Sequence, residues 1–159
     1  MGGLTRFALL WASCLATALG AGTVVINEIH YAPVDKTVPE EFIELHNWGA
    51  ETVDCSGWFF SAGVKYVFPE GALILPGGYL VIAQDPGTLA QTMGCADAFG
   101  PYEGRLANEG ETLCLRDPSG AIQDTVDYRS EFPWPIAANG RGSLLELQNP
   151  TSENDVGGA

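Results

Sequence analysis

The stretch EEFIELHNWGAETVDCSGW, Glu40 to Trp58, decides how the chain folds. Apolar residues alternate with polar ones from Glu41 to His46, the period-two pattern of a strand with two unlike faces. Asn47-Trp48-Gly49 supplies a turn, Thr52 to Cys55 a second short strand, and Gly57-Trp58 opens a third. Upstream, Val24 to Tyr31 (VVINEIHY) carries the same alternation and is the natural partner of Glu41–His46.

Working outward, short apolar segments recur between turn residues. Val64–Phe68, Ala72–Leu75 and Tyr79–Ala83 read as strands, with Pro76-Gly77-Gly78 as a hairpin turn before the last of them. Tyr79–Ala83 (YLVIA) is apolar throughout, which predicts a central strand buried on both faces. Asp85 to Gly94 breaks the pattern: an aspartate cap, Pro86 at a first helical position, Leu89, Ala90 and Met93 on one face, and a glycine stop. The helix lies in a crossover that runs on through Gly104, long enough to be a candidate functional loop. Glu111–Arg116 and Ala121–Asp127 flank Asp117-Pro118-Ser119-Gly120, whose chemistry is that of a type I turn in a hairpin. A further loop, Phe132-Pro133-Trp134-Pro135 to Asn139-Gly140, precedes a last strand at Ser143–Leu147. About nine short strands and almost no helix predict an all-β fold, an immunoglobulin-like antiparallel β-sandwich. Its expected core is Ile26, Ile43, Leu45, Trp58, Phe68, Leu80, Ile82, Leu113, Leu115, Val126 and Leu145, with Trp58 as the central plug.

Residues 1–22 read as a secretory signal peptide: Arg6, the uncharged run Phe7–Ala18, then small residues suited to cleavage. The exported protein is expected to begin between Leu19 and Thr23. Trp11-Ala12-Ser13-Cys14 faintly suggests a lipid-anchor site, but the apolar run continues past Cys14. The sandwich domain is expected over residues 23–148, with 149–159 a frayed tail or the start of a linker to further modules. The whole chain carries a formal charge of −13, and losing Arg6 makes it −14. That charge opposes nucleic acid and anionic membranes, and no membrane insertion is expected once the leader is gone. Cys55, Cys95 and Cys114 remain after the leader, an odd number at spacings foreign to zinc sites. One disulfide plus a free thiol and three free thiols both stay open.

No nucleophile elbow, zincin motif, phosphate loop or C-x-x-C is present, so no catalytic residue is assigned. Glu28/His30 and Glu44/His46 each place a carboxylate and an imidazole on one strand face, a quartet that adjacent strands could gather round a metal. Asn27, Glu28 and Glu44 are candidate calcium ligands, given loop carbonyls to complete the shell. The plainer expectation is a solvated sheet face, with Glu28 and Glu44 kept apart and each satisfied by backbone donors or water. Trp48, Phe99, Tyr102 and Trp134 fall in loops and are candidate ligand-binding residues, or else small satellite cores.

INEIHY, EFIELHN, CSGW, GGYLVIAQDP, GRLANEGETLCLRDPSG and the closing SLLEL, in that order, resemble a lamin-tail domain of the bacterial secreted type over Val24 to Leu147. The resemblance implies an immunoglobulin-like fold and a non-enzymatic role beside catalytic modules of larger secreted proteins. His46 stands where tyrosine is expected and Cys55 where leucine is usual, so neither takes a role from it. The resulting expectation is a secreted or cell-surface binding module that attaches to a protein or an extracellular surface polymer. A carbohydrate-binding module and, more remotely, a fragment of a metal-dependent hydrolase are the rivals.

Overall fold

The computed structural model describes residues 23–131, 134, 145–147 and 149; the leader, most of the tail and much of the loop before the last strand lie outside them. The elements are β1 (Val24–His30), β2 (Phe42–Asn47), β3 (Val53–Asp54), β4 (Phe59–Ala62), β5 (Leu73–Ile74), β6 (Tyr79–Ala83), α1 (Pro86–Met93), β7 (Gly110–Arg116), β8 (Ile122–Arg129) and β9 (Leu145–Glu146). They form a four-stranded sheet in the order β6-β2-β1-β9, a three-stranded sheet β4-β7-β8 and a two-stranded β3-β5 pair, each antiparallel.

One face of each larger sheet supplies the core. Ile26 and Ile29 of β1, Ile43 and Leu45 of β2, and Leu80 and Ile82 of β6 join Phe60, Leu113, Leu115 and Val126 of the other sheet. Every residue expected in the core is buried. Each large aliphatic side chain there contributes about 2 kcal/mol over exposure, which is why the period-two pattern fixes the face. The centre, however, is a tyrosine pair rather than Trp58. Tyr31 and Tyr128 are 1% and 0% exposed with ring centroids 4.9 Å apart, while Trp58 is 8% exposed at the margin. A tyrosine sits deep when its hydroxyl finds a partner, and Tyr128 donates to the Ala107 carbonyl at 2.9 Å.

Three expectations change. Tyr79–Ala83 is the terminal strand of its sheet, with Tyr79 57% exposed. Its apolar character is used differently: Leu80 and Ile82 face the core, while Ala83 is roofed by Leu89 of α1. Pro76-Gly77-Gly78 is not a hairpin turn but the crossing from β5 in one sheet to β6 in another. Gly77 has φ +67, and a Cβ on Gly78 would sit 2.9 Å from the Leu75 carbonyl oxygen, so both positions require glycine. Val64–Phe68 is no regular strand; it makes isolated bridges, Phe59 to Val67 and Lys65 to Glu103. The bulge between Phe60 and Ala62 and the left-handed Gly63 break its ladder.

The helix matches its sequence signals. Asp85 accepts the Thr88 N–H at 2.8 Å, Pro86 opens the first turn, and Gly94 closes it at φ +76. The DPSG hairpin is also as expected, with the Gly120 N–H donating to the Asp117 carbonyl at 2.9 Å. The last strand is described only at Leu145–Glu146; Ser143 and Leu144 lie outside the described residues.

Two buried polar side chains tie irregular chain to this frame. Asn47 is 0% exposed. Its Nδ2 donates to the carbonyls of Glu51, Ile74 and Leu75 at 2.7, 3.0 and 3.2 Å, and its Oδ1 accepts the Gly49 N–H at 3.0 Å. Its backbone exchanges bonds with Gly77 and Gly78, so one residue joins the β2 terminus to the β5–β6 crossing. Glu41, 7% exposed, accepts the Tyr102 hydroxyl at 3.2 Å and the Leu106 N–H at 2.9 Å, pinning the crossover loop. Asn47→Ala should cost about 3 kcal/mol or more in denaturant unfolding, because it removes the amide shared by three carbonyls, leaves the Gly49 N–H without its acceptor and opens a cavity. The neighbouring Trp48→Ala, at a half-open position, should cost no more than about 0.5 kcal/mol.

Candidate functional site

The outward face of the four-stranded sheet gathers most of the polar residues singled out in the sequence. Ile26 and Ile29 both face the core although they stand three positions apart, which strict alternation forbids. A bulge between Ile26 and Glu28 absorbs the extra residue, Asn27. Without it, Glu28 would point into the core. With it, Glu28 stands directly opposite Glu44 on β2 and Glu146 on β9, and Glu44 stands opposite Val81 on β6. The bulge is held by three bonds. Asn27 Nδ2 donates to Glu44 Oε1 at 2.9 Å, the Leu147 N–H donates to the Asn27 carbonyl at 2.8 Å, and the Ile26 N–H donates to Asp124 Oδ2 at 2.7 Å.

Glu28 and Glu44 are therefore cross-strand neighbours, which overturns the expectation that they are kept apart. Like charges directly opposite on a sheet are destabilising. Glu28 absorbs the conflict by titrating late: burial, then Glu44 and Glu146, push its carboxyl up to about 7. Burial also raises Glu44, while the Asn27 amide opposes the shift. Glu44 thus takes a side-chain donor where backbone or water was expected.

The two histidines stand on opposite sides of this carboxylate row. His30 pairs with Phe42, ring centroids 5.3 Å apart, and is 3% exposed with neither ring nitrogen hydrogen-bonded. Burial holds its pKa below the usual value, against a smaller pull from Glu40, so the ring is neutral. His46 stacks on Tyr79 at 4.4 Å. The glutamate–histidine quartet does not converge, and among the described residues no three His, Cys, Asp or Glu side chains are grouped to hold a metal ion. For calcium at Asn27, Glu28 and Glu44, the Asn27 amide presents its nitrogen, not its oxygen, to Glu44.

The loop aromatics do not assemble into one surface. Trp48 is 39% exposed beyond β2, whereas Phe99 and Trp134 are half-buried against the main core. Tyr102 is 4% exposed with its hydroxyl on Glu41, a member of the main core rather than a contact residue or a satellite. Among the described residues the three cysteines, Cys55, Cys95 and Cys114, are unpaired. Cys55 is fully buried, and burial followed by Asp54 pushes its thiol up to about 12, which makes it inert.

Beside the carboxylate row a groove of about 160 Å³ opens between α1 and the sheet. Phe42, Val81, Leu89, Met93 and Cys95 give it apolar walls, and Glu28 and Glu44 form its charged side. The sequence showed the helix face bearing Leu89 and Met93 but not what it would cover. Glu146 was legible only as an alternating position in SLLEL.

Linkage makes the carboxylate conflict measurable. The folded pKa of Glu28 lies above the unfolded value, so its contribution is favourable at acid pH and is lost as pH rises through about 7. Glu28→Gln should therefore stabilise the protein at pH 8 by about 1 kcal/mol, after allowance for partial exposure, and change little at pH 5. Thermal unfolding of both proteins across that range checks the sign.

A search of curated proteins finds no match to the chain. The family model of the Lamin Tail Domain matches residues 17–130, most of the chain and all of the described strands before β9. Domains of this family are immunoglobulin-like and generally non-catalytic, in keeping with the two packed antiparallel sheets. The chain belongs to the Lamin Tail Domain family.

Proposed function

We propose that this chain is a secreted, non-catalytic attachment module, which holds a larger extracellular protein to a protein partner or a surface polymer. The observation that carries the reading is apolar surface left in the open around the β5–β6 crossing. Leu73, Leu75 and Tyr79 are 52, 64 and 57% exposed within one short segment. Clustered exposed apolar side chains on a soluble domain mark contact surfaces. The leader-like residues 1–22 support export, and the family supports binding rather than turnover. A sugar-binding role has less support, because among its four candidate rings only Trp48 is exposed: Phe99 and Trp134 are half-buried against the core and Tyr102 is buried.

The mature protein should adhere to the envelope of the cells that export it; protease treatment of those cells removes the sites if the partner is a protein and leaves them if it is a polymer. Leu75→Asp with Tyr79→Asp should weaken adhesion about tenfold or more while leaving the unfolding temperature nearly unchanged, as exposed substitutions do. Equal adhesion by the double variant would reject this surface. A second expectation follows from charge. With −13 on the whole chain, no complex with duplex DNA should form in a gel shift at micromolar protein and about 0.15 M salt.

A further inference from the structure

We infer that the groove between α1 and the four-stranded sheet receives a lysine or arginine side chain from a partner protein, its aliphatic stem against Phe42, Val81, Leu89 and Met93 and its cationic end beside Glu28 and Glu44. The inference deepens the attachment reading and rests on it.

Size is the first argument. The groove holds about 160 Å³, well under the roughly 300–1,000 Å³ of a small-molecule site. It is the scale of one long side chain. Its composition is the second argument. The walls are apolar along their length and charged at one side only, the complement of a residue with a hydrocarbon stem and a cationic head. Met93, 45% exposed at the rim, is the adaptable, polarisable residue suited to such a stem.

Charge is the third. Glu28 faces Glu44 on β2 and Glu146 on β9, with the Asn27 amide on Glu44, Val81 across on β6, Cys95 after the helix and His46 two residues along β2. The groups that bear on the Glu28 carboxyl are burial and two further carboxylates. A cation placed there relieves a repulsion already built into the fold, so it gains more than it would at an isolated surface glutamate. A protein partner, rather than a free metal ion, fits the apolar walls, which offer an ion no oxygen ligands.

The test uses the mature protein and fluorescent nonapeptides that carry one central lysine, arginine or norleucine among neutral residues. Lysine and arginine peptides should bind about tenfold or more tightly than the norleucine peptide at pH 8. Their affinity should fall about tenfold from pH 8 to pH 6, the change in ionised fraction of a carboxyl titrating near 7. Glu28→Gln and Met93→Ala should each weaken the lysine peptide. Val81→Lys, which sets an ammonium opposite Glu44 within the chain itself, should block the groove and raise the unfolding temperature at pH 8. Equal binding of lysine and norleucine peptides, or a lysine affinity unchanged in both Glu28→Gln and Val81→Lys, overturns the inference. So does stabilisation by millimolar calcium that Glu28→Gln abolishes. Envelope adhesion measured alongside separates the two readings: adhesion that survives in Val81→Lys rejects the groove alone, while a wild-type protein that fails to adhere rejects the attachment role itself.

Discussion

The carboxamide of Asn47 is the constraint on which this sandwich turns. A side chain with no solvent access must satisfy every donor and acceptor it brings, and this one does so with the carbonyls of Glu51, Ile74 and Leu75 and the N–H of Gly49. The amide therefore fixes the separation of the β2 terminus, the β3 approach and the β5–β6 crossing at once. An apolar residue in its place would withdraw the donor that those carbonyls share, and a carboxylate could not donate to them. Glu41, at the other extremity of the same strand, does the equivalent work for the crossover loop through Tyr102 and Leu106. β2 is short, but it is anchored at both ends by polar atoms that face inward.

The face turned outward carries a different kind of constraint. A single inserted residue, Asn27, rotates Glu28 out of the core and into line with two other glutamates. The resulting repulsion is moderated rather than removed, by the Asn27 amide on Glu44 and by late titration of Glu28. A domain that tolerates an unfavourable row of this kind has traded some stability for a surface of one sign. The helix roof over Phe42 and Ala83 then gives that surface relief, converting a flat ladder into a groove.

Much of this was legible in the residues. Alternation gave the strands, and proline and glycine gave the turns. The Asp85, Pro86 and Gly94 signals bounded the helix to the residue, because caps are chemical events local in sequence. What escaped was non-local. YLVIA reads as a central strand because apolar composition cannot distinguish burial between strands from burial beneath a helix. Gly77-Gly78 reads as a hairpin because the same turn serves two strands of one sheet or of two. The bulge was present in the spacing of Ile26 and Ile29, an odd separation between two residues that both belong inside, and it decides the geometry of the carboxylate row. The rank of Tyr31 and Tyr128 above Trp58 could not be read, since it depends on the packing of the two rings on each other and on the Ala107 carbonyl that a distant loop brings to Tyr128.

The placement of Phe99 has a consequence for how this domain can be approached. Its N–H donates to the Val81 carbonyl at 2.8 Å and its carbonyl accepts the Ala83 N–H at 2.9 Å, on the outer side of β6. Those are the groups a foreign strand would use to extend the sheet. One residue of the crossover loop thus occupies the docking positions for β-augmentation, and it does so without forming a strand that would present a fresh edge of its own. Around Ile82, backbone-to-backbone addition by partners or by other copies of the chain meets groups already taken. Contact at this position is left to side chains, where sequence-specific chemistry discriminates and indiscriminate strand pairing does not.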